Sequence, residues 1–141
     1  MAISTCSHIE GYLQIQEEIT TLQTLSCLRR VDDFFAIIAT SLTDLSGLAG
    51  LESTGGFGLA ENLQLVTVDV PSLQSTEEFY VYDNPSLTSL VVPSLVEVTY
   101  VEVFYNPLLP ECEIEALLMQ ANPDQLFCDG NLPDMCAGLC G

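Results

Sequence analysis

The sequence predicts a mainly β protein: one right-handed parallel β-helix, a solenoid of about five coils of 22–23 residues, with a C-terminal capping helix and disulfide-rich ends. The first observation behind this is an asparagine that returns at a step of 22 residues, at Asn62, Asn84 and Asn106. The second is that other columns keep the same step: Phe57, Phe79 and Val101; Leu59, Val81 and Val103; Leu65 and Leu87; Val70 and Val92; Pro71 and Pro93; Leu73 and Leu95. The third is the placing of the cysteines at the two ends of the chain, with none in the repeats between. A coil of this length cannot bury its own apolar residues, so stacking has to build the core and pile equivalent positions into ladders.

The coils follow in order. Segment 9–31 carries Ile9, Tyr12, Leu13, Ile15, Leu22, Leu25, Leu28 and Val31. Segment 32–54 is one residue longer; it aligns Val31 with Thr54, Thr76 and Val98, and Phe34 with Phe57. It has Ala39-Thr40-Ser41 where later coils have the asparagine, which leaves the ladder open there. Segments 55–76 and 77–98 show the repeat most plainly. In the second of them Phe79 and Val81 alternate inward while Tyr80 and Tyr82 point outward. Asp83-Asn84-Pro85-Ser86 is a turn. Leu87, Leu90 and Val92 form a second inward set, Pro93-Ser94 a second corner, and Leu95 and Val98 a third set, so three short strands per coil are expected. Segment 99–109 begins as a repeat and then departs from it. Residues 110–141 read as the cap that an open-ended stack of strands requires. Pro110-Glu111-Cys112-Glu113 starts a helix, Ile114, Leu117 and Leu118 make its buried face, and Asn122-Pro123 stops it. The remainder, through to Gly141, reads as a cysteine-rich loop.

Length fits one domain, 1–141, and an apolar content of 48% is too high for disorder. No apolar run approaches the roughly 18 residues that cross a bilayer, and Met1-Ala-Ile-Ser-Thr has no basic start of an export signal. The net charge is −18, from 20 acidic residues against Arg29 and Arg30 alone. Such a surface excludes nucleic acid and anionic membranes as partners. Its plainest meaning is solubility through self-repulsion. The six cysteines form an even set without paired C-x-x-C spacing, and His8 is the single histidine, so disulfides fit better than zinc. Disulfides imply an oxidising compartment outside the cytosol. Cys6 and Cys27 are expected to close the N-terminal coil; Cys112, Cys128, Cys136 and Cys140 allow three pairings.

Candidate sites are few. A buried corner asparagine can satisfy backbone groups of its own turn and the amide of the next, so Asn62, Asn84 and Asn106 are read as structural. The outward side of the first strands places Tyr80 beside Glu102, Tyr82 beside Phe104 and Glu78 beside Tyr100, next to Gly56, Gly58 and Ala60. Clustered exposed aromatics suit a platform for a protein or glycan. They also suit plain cross-strand stabilisation of the sheet. Nothing points to an enzyme: G-x-S-x-G, H-E-x-x-H and phosphate-loop motifs are missing, and Cys6 with His8 reads as part of a cap. No calcium-loop motif occurs and no cofactor is expected. Thr54, Thr76, Thr88 and Thr99 do not form the single flat column an ice-binding face would need.

Ile9-x-Gly11-Tyr12-Leu13-x-Ile15, the steps Leu42, Leu45, Leu48 and Leu51, and Asp83-Asn84-Pro85-x-Leu87 resemble the receptor L domain, the leucine-rich-repeat-like β-helix of growth-factor receptors. The tail, Asn106-Pro107-Leu108-Leu109-Pro110-x-Cys112 with Gly130-Asn131-Leu132 and Cys136, resembles more closely the secreted or surface L-domain proteins of myxobacteria and related bacteria. The resemblance implies a Cys112–Cys136 bridge, leaving Cys128–Cys140. It also implies an extracellular, non-catalytic recognition or structural module; as a recognition or adhesion module the chain would use the face given by the repeat register, Tyr80, Tyr82, Tyr100, Glu102 and Phe104. The alternative is a structural subunit of a self-assembling filament or surface layer, with copies of itself as partners; light scattering separates the two.

Overall fold

The 22-residue step brings alternating apolar segments side by side. The computed structural model describes residues 6–136 and residue 140. Within them the strands are β1 (His8–Ile9), β2 (Leu13–Gln16), β3 (Arg30–Ile38), β4 (Ser53–Ala60), β5 (Thr67–Asp69), β6 (Ser75–Tyr82), β7 (Ser89–Val91), β8 (Tyr100–Phe104) and β9 (Gln125–Asp129). A seven-stranded sheet runs β1-β3-β4-β6-β8-β9, with β2 also paired to β3, and β5 pairs with β7 in a small second sheet. All of these pairings are parallel. The described part is therefore mainly β, with one α-helix, α1 (Glu111–Ala121).

Pairing sets the core. One inward column runs Leu13, Phe35, Phe57, Phe79, Val101 and Leu126; the next runs Ile15, Ile37, Leu59, Val81, Val103 and Cys128. Opposite them, Val68 and Leu90 are buried in the second sheet, with Leu65, Leu87 and Leu109 below the corners. In the first two repeats this side is built by 3-10 turns at Gln23–Leu25 and Ser46–Leu48 instead. The leucines at every third position, Leu42, Leu45, Leu48 and Leu51, suit that geometry and are all buried. Gly47 is required between the two turns, because a Cβ there would lie 2.1 Å from the Leu22 carbonyl oxygen.

Several expectations are corrected. Val31 does pair with Thr54, but Phe34 pairs with Gly56, and Phe35 takes the Phe57 column. The extra residue of this repeat is a bulge in β3 between Val31 and Phe34. Gly55 accommodates it: a Cβ there would meet the carbonyl oxygens of Asp32 and Asp33 at 2.5 and 2.9 Å. The third inward set, Leu95 and Val98, is buried without forming a strand; an isolated bridge, Ser75 to Glu97, and backbone hydrogen bonds such as Val96 N–H to Gln74 O tie that side to the coil before it. Too few residues separate the Pro93-Ser94 corner from the next long strand.

The tail holds the expected helix and an unexpected strand. Pro110 is the extended N-cap of α1, Glu111 and Glu113 sit in its first turn, and Asn122 ends it in the left-handed conformation at φ 45°. Glu111, Ile114, Leu117 and Ala121 are its buried residues, while Leu118 is only half-buried. The helix caps the edge of β7: Glu113 accepts the Leu90 N–H at 3.3 Å, and Gln120 donates to the Val92 and Leu95 carbonyls at 2.7 Å. Beyond it, Gln125–Asp129 is not loop but β9, because Leu126 and Cys128 continue the two inward columns. Residues 137–139 and 141 of the expected cysteine-rich loop lie outside the described residues. The bridges are Cys6–Cys27, Cys112–Cys136 and Cys128–Cys140, and no cysteine is free.

Candidate recognition surface

Side chains alternate along a strand, so every inward column has an outward neighbour. The register places Glu78 against Tyr100, Tyr80 against Glu102 and Tyr82 against Phe104, with Gly56, Gly58 and Ala60 beside them on β4. All of Tyr80, Tyr82, Tyr100, Glu102 and Phe104 are half-buried on this outer face. Tyr82 stacks on Phe104 with ring centres 5.5 Å apart and planes 11° apart; Tyr80 contacts Tyr82 at 6.0 Å.

The glycine stretch is not bare. Phe34, set on the outer face by the bulge, lays its ring over Gly56 and Gly58, whose Cβ atoms would come within 2.3 and 2.8 Å of it. It reaches across β4 and stacks on Tyr80 at 5.8 Å. Phe104 in turn contacts Tyr105 at 5.9 Å around the corner. One aromatic row thus runs Phe34, Tyr80, Tyr82, Phe104, Tyr105. Alignment of Phe34 with Phe57 hid its first member; the Gly56-x-Gly58 gap was the available signal.

Carboxylates fix the hydroxyls of this row. The Tyr80 hydroxyl donates to Glu78 at 2.7 Å, and the Tyr82 hydroxyl donates to Glu102. The Tyr80 phenol is pushed up to about 12 by the hydrogen bond to Glu78, then by burial and by the charges of Glu78 and Glu102. The cations lie elsewhere. Arg30 Nε donates to Asp32 at 2.6 Å and His8 Nε2 meets the same carboxylate at 2.8 Å. The His8 hydrogen bond is the leading cause that holds Asp32 below the usual carboxylate range, with Arg30 adding to it. Cys6 is bonded to Cys27, so Cys6 and His8 form no nucleophile–base pair. Cys112, Glu115 and Cys136 bring ligand-type atoms within 4.8 Å, yet both sulfurs are spent in one disulfide.

The corner that follows these strands is built on the asparagines. Asn62, Asn84 and Asn106 are fully buried. Each Oδ1 accepts the backbone N–H of the preceding rung, and Nδ2 donates to a carbonyl behind it: Asn84, for example, takes Asn62 N–H at 3.1 Å and gives to Leu59 O at 3.2 Å. The open end is settled by Thr40, whose N–H and hydroxyl both donate to Asn62 Oδ1, at 3.1 and 2.7 Å. Asn131 extends the ladder past Asn106, a step of 25 residues that the 22-residue period does not reveal. The residue before each rung is left-handed: Ala39, Glu61, Asp83 and Tyr105 have φ of 54°, 57°, 52° and 59°, and Gly130 has 72°. Since each asparagine points inward, its two neighbours point out. Glu61 and Leu63, Asp83 and Pro85, Tyr105 and Pro107 are all exposed. These two rows wall a groove of about 710 Å³.

The Receptor L domain model matches residues 5–126, and the chain belongs to that family. No curated protein and no solved structure matches it. Receptor L domains are binding domains, which makes ligand recognition the role of the chain at that level. No helix among the described residues is long and apolar enough to cross a membrane.

Proposed function

We propose that this chain is an extracellular recognition module, one right-handed β-helix of about five coils over 1–141, which takes a protein ligand on its outer β-face. The observation that carries the reading is the continuous aromatic row from Phe34 to Phe104 with its tyrosine hydroxyls held by Glu78 and Glu102. A rigid aromatic surface loses little side-chain entropy on binding, which is why tyrosine-rich patches dominate interfaces. The stacking also favours protein over glycan. Sugars bind aromatic rings on their faces, and here the Tyr82 ring face is covered by Phe104, as that of Tyr80 is by Phe34. What the row offers a partner is ring edges, hydroxyls and carboxylates. The bridges support an oxidising, extracellular setting.

The test is selection of binders from a synthetic library against the wild-type protein, counter-screened on Tyr82→Ala/Phe104→Ala. The outer-face reading expects most selected binders to lose the variant. Binders indifferent to the double substitution, from a variant that melts normally, overturn it.

A further inference from the structure

We propose that the corner groove is a second docking site, for an extended peptide segment of a protein partner that alternates basic and apolar residues. The groove lies around the corner from the outer face and stands whether or not that face binds. Its two walls differ in chemistry. One is the left-handed row, acidic at its centre in Glu61 and Asp83. The other is the row after the asparagines, with Leu63 65% exposed and Pro85 and Pro107 beyond it. The asparagines between the two rows are fully buried and hydrogen-bonded to one another, so a ligand gains its contacts from the walls.

Charge decides the sign of the occupant. The chain has two Lys or Arg residues in all, Arg29 and Arg30. Both sit where β3 begins, whereas the groove lies where the strands end. Arg30 is paired with Asp32, and Arg29 is turned onto the carbonyls of Ser26 and Leu28. Neither arginine therefore reaches Glu61 or Asp83, and this wall is acidic in a molecule of net charge −18. Shape decides the rest. The groove runs along the stacking direction from the Ala39 rung to the Gly130 rung, four steps of about 4.8 Å, or roughly 19 Å. An extended chain covers that with about six residues at roughly 3.3 Å each. Its side chains alternate, so basic ones can lie on the Glu61–Asp83 wall while apolar ones lie on Leu63 and the prolines.

The probe is a fluorescein-labelled hexapeptide of alternating arginine and leucine, titrated with the intact chain at physiological salt and read by anisotropy. Glu61→Gln/Asp83→Asn is expected to raise Kd about tenfold or more, the size of losing one or two charge-assisted contacts. Glu52→Gln/Glu77→Gln, which removes equal charge at the other end of the strands, is expected to change Kd less than about twofold. Leu63→Ser is expected to weaken the arginine–leucine peptide about fivefold and leave an arginine–serine peptide unchanged. Melting curves of each variant confirm that it is folded. The proposal fails if the wild type does not bind the peptide. It also fails if the Glu52/Glu77 pair weakens binding as much as the groove pair, or if arginine–serine binds as well as arginine–leucine.

Discussion

The same strands carry two aromatic rows, one on each face, and they are held by different means. Inside, Phe35, Phe57 and Phe79 lie in one column with no exposed surface, centres 5.5 and 5.9 Å apart. Outside, Phe34, Tyr80, Tyr82 and Phe104 step over three columns, half-buried, and depend on a ring that leans across two glycines. The inner row is enforced by register alone, since a slip of one residue would turn every side chain outward. The outer row is an addition to that register, so it can be altered while the fold stays.

The largest test of that contrast is Phe57→Ala. It removes the middle ring of the buried stack and should cost about 3–5 kcal/mol in chemical denaturation, as large-to-small core changes do. A loss of about 1 kcal/mol would mean the inner row is not the spine described. Next comes Gly58→Val. Its side chain meets the Phe34 ring, where even a Cβ lies 2.8 Å away. Phe34 should be driven off Tyr80, at about 1–3 kcal/mol of overpacking cost, with a changed near-ultraviolet circular dichroism spectrum. Tyr82→Ala follows at about 1 kcal/mol, the scale of a cross-strand aromatic pair; a cost near that of Phe57→Ala would remove the distinction between the rows.

A further effect is alkaline. Tyr80 holds its proton up to about 12 in the folded chain, against roughly 10 when unfolded. A raised pKa means the folded state binds that proton more tightly. The contribution is therefore complete below about pH 10 and is lost as pH rises toward about 12. Glu78→Gln should shift the ultraviolet titration of Tyr80 downward and flatten this part of the stability profile; an unmoved titration would remove Glu78 as its main cause.

Much of this was legible because translation is legible. A step of 22 fixed the Phe57, Phe79, Val101 column, the outward pairs Tyr80/Glu102 and Tyr82/Phe104, and the asparagine column. What escaped detection broke the step. The bulge at Asp32 and Asp33 shifted Phe34 by one place, and what makes room for it is a missing side chain at Gly55 on another strand. Helix α1 lengthened the last step to 25, which concealed both Asn131 and β9. The groove escaped because Glu61, Asp83 and Tyr105 are unremarkable letters; only their positive φ turns them outward together.

The asparagine column has one more consequence, that of direction. Every Oδ1 receives from the rung before it, so the bonds from rung to rung all run the same way along the column. It opens on Thr40, whose backbone N–H and hydroxyl both donate to Asn62 Oδ1, and it closes on Asn131, whose Nδ2 donates to the Val103 carbonyl. The molecule is thus a vector. A rung spliced in at any point must donate forward and accept from behind, so a transplanted repeat fits in one orientation and is rejected in the other.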